Sequence, residues 1–263
     1  MHASDRFAET RMGRIHYLEA GEGPVLMLMH SNGASAYEYE FVIDELAKRH
    51  RVIAWDMPGQ GDSDPPPRFF SAHDFADALV ALMDALCIAT ASVGGSSVGG
   101  SIAIALGARH AARMERVFII EYPIRTEKVW SEGWLRTEKM WTIAPQTAET
   151  VGPRLRPGKT TPEFLDRWNI DRAKAGPRTM LNAMWAMRLH DVAADLATLN
   201  APAVVIYGSR GPAIASRAAM EKALPDALAI VCEDCGHFPM IDDPAAFVAA
   251  VDKGFVHTGR KTG

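Results

Sequence analysis

The stretch Gly95-Ser96-Ser97-Val98-Gly99-Gly100 lies between an apolar run, Ala91 to Val93, and a small-residue run, Ser101-Ile102-Ala103-Ile104-Ala105-Leu106-Gly107-Ala108. The first run reads as a strand and the second as a helix. A G-x-S-x-G between them puts Ser97 on a sharp turn, where the residues two places either side crowd each other. Gly95 and Gly99 relieve that crowding because they carry no Cβ. A serine held this way sits in strained backbone geometry. The helix behind it aims its N-terminus, and the Val98 N–H, at any oxyanion formed on a substrate. Ser96 cannot take this place, because Val98 would then stand where the second glycine belongs.

The rest of the chain supplies the context that such a turn needs. Its 263 residues are 48% apolar and 23% charged, enough for a buried core in an ordinary globular chain. A net charge of −4 argues against nucleic acid as a partner. No apolar stretch reaches the roughly 18 residues of a membrane helix. Met1 to Arg6 contain no apolar leader core, so a cytoplasmic location is expected. Three cysteines do not make a disulfide framework.

Strands are predicted at 14–19, 25–29, 52–55, 91–95, 117–120, 203–207 and 228–232. Helical spacing covers 37–48, 73–86, 216–224 and 244–255. Residues 124–199 differ: five of the six tryptophans fall there, with Met140, Met180, Met184 and Met187 and no strand-like run. The chain therefore reads as a core of residues 1–123 and 200–263 interrupted by a helical cap at 124–199. Strands alternating with helices, several of them apolar throughout, imply a mostly parallel, doubly wound sheet. Ligands bind such sheets at the carboxyl ends of the strands. His30-Ser31-Asn32, Asp56-Met57-Pro58-Gly59, Ser97, Glu121 and Gly208 all follow strand ends.

Serine chemistry requires a base, an acid to orient it and oxyanion donors. Of nine histidines, His237 in Cys235-Gly236-His237-Phe238-Pro239 follows the last strand, where a loop can swing over the turn. His30 is expected to brace its own loop, and His110 and His257 lie near helix C-termini, where the helix dipole accounts for them. A metal at Cys232-x-x-Cys235-x-His237 is not expected, since there is no second ligand cluster. The stretch after the 203–207 strand, Gly208-Ser209-Arg210-Gly211-Pro212, has glycine where a G-x-x-D acid would stand. Glu121, at the end of the strand before it, lies one inter-strand step of about 4.8 Å nearer the serine. Its extra methylene suits that altered reach, and the apolar Phe118-Ile119-Ile120 before it makes an unpaired charge costly. Oxyanion donors are expected at the Val98 N–H and, from the first strand's loop, at the Asn32 N–H. Cap residues Trp185 and Met184 are expected to line an apolar pocket. No cofactor is required.

Together these segments, from about residue 14 to 255, resemble the α/β-hydrolase superfamily. Glu121-Tyr122-Pro123 resembles the Glu-Phe-x-x-Pro of some haloalkane dehalogenases, but those enzymes use an aspartate where Ser97 stands. A closer likeness is to the zearalenone lactone hydrolases, carried by Asp56-Met57-Pro58-Gly59, Ser97, Glu121-Tyr122-Pro123 and His237-Phe238-Pro239. The loop His30-Ser31-Asn32-Gly33 and the cap depart from that family. The resemblance implies a serine hydrolase of a small apolar ester or lactone, a macrocyclic one such as zearalenone included, with a cap tryptophan against the substrate. Two other readings use the same residues: a carbon–carbon bond hydrolase of ring-cleavage products, and a small-ligand sensor that retains the triad.

Overall fold

The apolar runs become the inner strands of one sheet, seen in a computed structural model that describes residues 3–257. Residues 1–2 and 258–263, the outer ends of the expected core segments, lie outside the described residues. The strands are β1 (Ser4–Thr10), β2 (Gly13–Ala20), β3 (Val25–Met29), β4 (Arg51–Trp55), β5 (Ala91–Ser96), β6 (Met114–Ile120), β7 (Ala203–Gly208) and β8 (Leu228–Cys232). Their order is β1-β2-β4-β3-β5-β6-β7-β8. The pairs β1–β2 and β2–β4 are antiparallel and the remaining five are parallel. This is the α/β-hydrolase fold, a mostly parallel sheet with helices on its faces.

Period-two geometry sends alternate residues of each inner strand to opposite faces. Val117, Ile119, Val205 and Tyr207 join the core under helices Ala72–Ala85 and Val98–Arg109. Phe118, Ile120, Val204 and Ile206 join the other core, with Phe247, Val248 and Val251 of helix Pro244–Val256. Each such side chain contributes about 1.5–3 kcal/mol when fully buried, which is why these runs carry no polar residue.

One strand was not anticipated and one expected helix is corrected here. The strand β1 is polar and exposed, so it leaves no apolar pattern. Pairing with β2 holds it, from Ser4 opposite Glu19 to Thr10 opposite Gly13, and its charges suit a sheet edge. Residues 37–48 do not make one helix. A 3-10 turn at Ala36–Tyr39 is followed by a single α-turn at Ile43–Leu46. Tertiary bonds override the helical spacing: Glu38 turns inward to accept from the Ser31 N–H at 3.0 Å, and the Tyr39 hydroxyl donates to the Met29 carbonyl at 2.9 Å.

Between β6 and β7, residues 124–199 hold helices Glu127–Met140, Ala148–Val151, Pro162–Leu189 and Val192–Thr198 and no strand. The third is interrupted at Gly176, whose φ of 69° no helix accommodates, and restarts at Pro177.

The turn after β5 is tied to its neighbours. A Cβ at Gly99 would lie 2.4 Å from the Met29 carbonyl oxygen. Gly99→Ala should cost about 1–3 kcal/mol through overpacking, lowering Tm by roughly 2–4 °C per kcal/mol. Thermal unfolding followed by circular dichroism checks this, and an unchanged Tm would show that the turn can relax.

Candidate active site

At the carboxyl end of β5, Ser97 has φ 53° and ψ −112°, a backbone conformation that costs a non-glycine residue of order 1–3 kcal/mol. The surroundings over-determine it. The Ser97 N–H donates to the Ile120 carbonyl at 2.8 Å, and a Cβ at Gly95 would lie 2.0 Å from the Gly99 carbonyl oxygen. The helix Val98–Arg109 begins at the next residue.

Glu121, one residue beyond β6, has φ 46° and is fully buried. Its Oε1 accepts from the Gly208 N–H at 2.8 Å, and its Oε2 accepts from the Ala213 N–H at 3.3 Å. The same Oε2 lies 3.1 Å from Nδ1 of His237. An ionised carboxylate only accepts, so Nδ1 carries the proton and Nε2 is left as the acceptor. The structure also accounts for the glycine at position 211. A Cβ there would lie 2.4 Å from the carboxyl carbon and both carboxylate oxygens of Glu121. The acid from β6 thus fills the space beside the β7 loop.

His237 is buried on a loop fastened from two sides. Its own N–H donates to the Arg154 carbonyl at 2.7 Å, and Asp242 accepts from the Gly236 N–H at 2.7 Å. Burial lowers the pKa of His237 from its ordinary 6.5; the Glu121 carboxylate raises it, and Arg154 and Arg125 lower it again. Cys232 and Cys235 are free thiols whose pKa burial pushes up to about 12 and about 11.

On the first loop, the Gly33 N–H donates to Oε1 of Gln60 at 2.7 Å, and Gln60 Nε2 donates to Asn32 Oδ1 at 3.0 Å. Among the described residues neither the Asn32 N–H nor the Val98 N–H meets a protein acceptor. His30 braces this loop as expected: Nδ1 donates to the Ser31 carbonyl at 2.6 Å and Nε2 accepts from the Met57 N–H at 2.9 Å.

Ser97, His237, Asn32 and Met184 line one cavity of about 140 Å³, together with Arg125 and Arg154. Trp185 does not. It packs on Trp134, centroids 4.2 Å apart, and beneath the guanidinium of Arg188 at 5.1 Å, with 37% of its surface exposed. The physical reason is the helix itself, since successive residues point about 100° apart and only Met184 of the two can face the cavity. Met187, three residues on, also lines it. A larger cavity of about 400 Å³, bounded by Tyr37, Phe41, Phe164 and Arg167, does not reach Ser97. The sequence reading missed Arg125 and Arg154. No signal in the sequence singles them out, since residues 124–199 carry many other charged side chains.

Gly211→Ala should push the Glu121 carboxylate aside, lowering Tm by several degrees, since overpacking costs about 1–3 kcal/mol. A crystal structure of the variant should show the Glu121–His237 hydrogen bond lengthened or broken. Retention of that bond with wild-type Tm would contradict the packing argument.

Comparison with known proteins places this geometry in context. A 2-hydroxymuconate semialdehyde hydrolase of Pseudomonas sp. (strain CF600) is 27% identical over 253 residues, covering 90% of this chain and 89% of the relative. A pimeloyl-[acyl-carrier protein] methyl ester esterase of Nitrosomonas europaea is 25% identical, covering 92% and 99%. The crystal structure of the enol-lactonase from Burkholderia xenovorans LB400 superposes with a TM-score of 0.82 at 26% identity, over 95% of this chain and 99% of that one. The protein is a hydrolytic enzyme. The model of the Alpha/beta hydrolase family matches residues 25–251, and the chain belongs to that family.

Proposed function

We propose that the chain is a serine hydrolase of carboxylic esters, cyclic esters included, working through an acyl-enzyme on Ser97. The observation that carries this reading is the Glu121–His237 pair, with His237 lining the same cavity as the strained Ser97. His237, its Nδ1 proton engaged by Glu121, takes the Ser97 hydroxyl proton at Nε2 as Oγ attacks the carbonyl carbon. The Val98 and Asn32 N–H groups receive the oxyanion. Collapse of the tetrahedral intermediate breaks the acyl–oxygen bond, and His237 returns its proton to the departing alcohol or enol oxygen. Water, deprotonated by the same nitrogen, then releases the acid and restores Ser97. Residues 124–199 act as a cap over this chemistry, with Met184 on the wall facing it.

Substrate size follows from the cavity. About 140 Å³ is well below the 300–1,000 Å³ of pockets that enclose drug-sized ligands. A small ester or lactone fits without movement, whereas a macrocyclic lactone such as zearalenone requires residues 124–199 to open. We therefore rank the small substrate first. A carbon–carbon bond hydrolase is the second reading, favoured by the 2-hydroxymuconate semialdehyde hydrolase relative. A panel of aryl esters, small lactones, zearalenone and a ring-cleavage dienone, assayed side by side, ranks these substrates.

Ser97→Ala should lower ester hydrolysis by roughly 10⁴–10⁶-fold and abolish labelling by a fluorophosphonate. If both persist, another nucleophile is at work. Glu121→Gln should keep the fold and lose about 10⁴-fold, by comparison with the serine-protease acid; near-normal turnover would remove Glu121 from the triad. The base acts when neutral, so kcat/KM rises with pH through the His237 pKa. Burial puts the midpoint of that acidic limb below 6.5. In Glu121→Gln the carboxylate's upward pull is lost and the limb moves to still lower pH, as a pH–rate profile would reveal.

A further inference from the structure

The cavity that Ser97 and His237 line also carries charge without a counter-charge. Elsewhere in the chain arginines reach carboxylates: Arg51 meets Glu19 at 2.7 Å, Arg188 meets Glu127 at 2.7 Å and Arg156 meets Asp243 at 3.4 Å. Arg154 and Arg125, both lining the Ser97 cavity, have no such bond among the described residues. The Nη1 of Arg154 is buried with no acceptor. Its guanidinium rests instead on the faces of Phe238, at 4.8 Å, and Trp168, at 5.7 Å. Arg125 lies over Trp130 at 4.6 Å. Aromatic faces hold a cation in place but leave its N–H donors free. A third guanidinium adds to the same field. Arg172 donates through Nη2 to the Met140 and Thr142 carbonyls, and its Nε and Nη1 are buried without acceptors.

The carboxylate coupled to Arg154, that of Glu38, does not cancel this charge. Glu38 attracts Arg154 but makes no ion pair with it within 4 Å, and its Oε2 is held by the Ser31 N–H and hydroxyl. Burial pushes its carboxyl up to about 7, so near neutral pH it is only partly ionised. Arg154, even pushed down to about 10 by burial, stays protonated. A buried cation without a partner is costly in any fold, and here the cost falls in the cavity that Ser97 lines.

Arg154 is also held rigidly. Its carbonyl accepts the His237 N–H at 2.7 Å, and a Cβ at Gly236 would lie 2.3 Å from that oxygen. The Arg156 N–H two residues on donates to Asp242 at 2.7 Å. The segment carrying the guanidinium is thus fastened to the loop carrying the base, and an anion on Arg154 would be fixed relative to Ser97.

We propose that the substrate bears a carboxylate, bound by Arg154 and Arg125 in the Ser97 cavity while the ester carbonyl lies over the serine. This deepens the ester-hydrolase reading and rests on it for the reaction, not for the binding. Arg154 presents a planar fork suited to a carboxylate. The cavity volume limits the carboxylate-bearing acyl part of such a substrate to a short chain.

Two esters with one leaving group test this: mono(4-nitrophenyl) glutarate and its methyl ester, which differ in charge. The wild-type enzyme should favour the acid by about 10–100-fold in kcat/KM, and added salt should shrink that ratio. In Arg154→Gln and Arg125→Gln the ratio should fall toward one, while Arg154→Lys, which keeps the charge, should retain part of it. Binding is read separately, with glutarate raising the Tm of Ser97→Ala and failing to raise that of Ser97→Ala/Arg154→Gln. A wild-type ratio at or below one, a ratio that survives both glutamine variants, or no glutarate-induced shift in Ser97→Ala would overturn the proposal. Hydrolysis of neither ester, with glutarate still stabilising Ser97→Ala through Arg154, would sink the ester reading and leave the anion site standing.

Discussion

The structure around the site depends on one buried carboxylate. Glu121 is cut off from solvent at the end of an apolar strand, where an ionised group needs a full set of donors. It has three: the backbone N–H of Gly208 at the end of β7, that of Ala213 beyond it, and the imidazole of His237. Those bonds fasten the β6 end, the β7 loop and the histidine loop to one point. Gly211 is the complement of that arrangement, since any side chain there would occupy the carboxylate's volume. Moving the acid from β7 to β6 therefore requires both a glutamate at one position and a glycine at the other. Neither change makes sense alone.

Sheet register carries this point to the serine. Ser96 pairs with Ile120, and Ile120 with Ile206. The ladder runs one bond further on each side: the Ser97 N–H donates to the Ile120 carbonyl, and the Glu121 N–H donates to the Ile206 carbonyl at 2.9 Å. Ser97 and Glu121 both leave the extended conformation immediately after their strands, with φ values of 53° and 46°. Strained residues of this kind persist only where their surroundings hold them. Here the surroundings are three adjacent parallel strands whose alternate side chains are buried in two cores.

What could be read in the chain follows the same division. The inner strands were legible because burial on both faces forces an unbroken apolar run, as in Val25 to Met29. The turn at Ser97 was legible because sterics require glycine at 95 and 99. Glu121 was legible by an absence at 211, which mattered because the fold offers few places from which a carboxylate reaches that histidine. The edge strand Ser4–Thr10 was not legible, since its partner, not its own composition, makes it a strand. The fate of 37–48 was decided by bonds from Glu38 and Tyr39 to distant backbone. Trp185 was misplaced because composition cannot say which face of a helix meets the cavity, although the Met180, Met184, Met187 spacing already implied that residue 185 lies off it. Arg125 and Arg154 were overlooked because nothing local marks an arginine as unpaired.

A second chain of polar residues sharpens what defines the site. Ser101 Oγ lies 2.7 Å from His190 Nδ1, and His190 Nε2 lies 2.7 Å from Asp195, which also meets His73 at 2.8 Å. By hydrogen bonds alone this serine–histidine–aspartate series is better formed than the one at Ser97. Yet Ser101 is buried inside the helix after the turn, in regular helical backbone, and opens on no described cavity that a carbonyl carbon could enter. Its bonds pin that helix to the segment after Leu189, which is a structural task. Ser97 differs in strain, in access and in the free N–H groups around it. Those three features follow from steric crowding at a strand-to-helix turn, and they favour Ser97 over Ser101 as the proposed nucleophile.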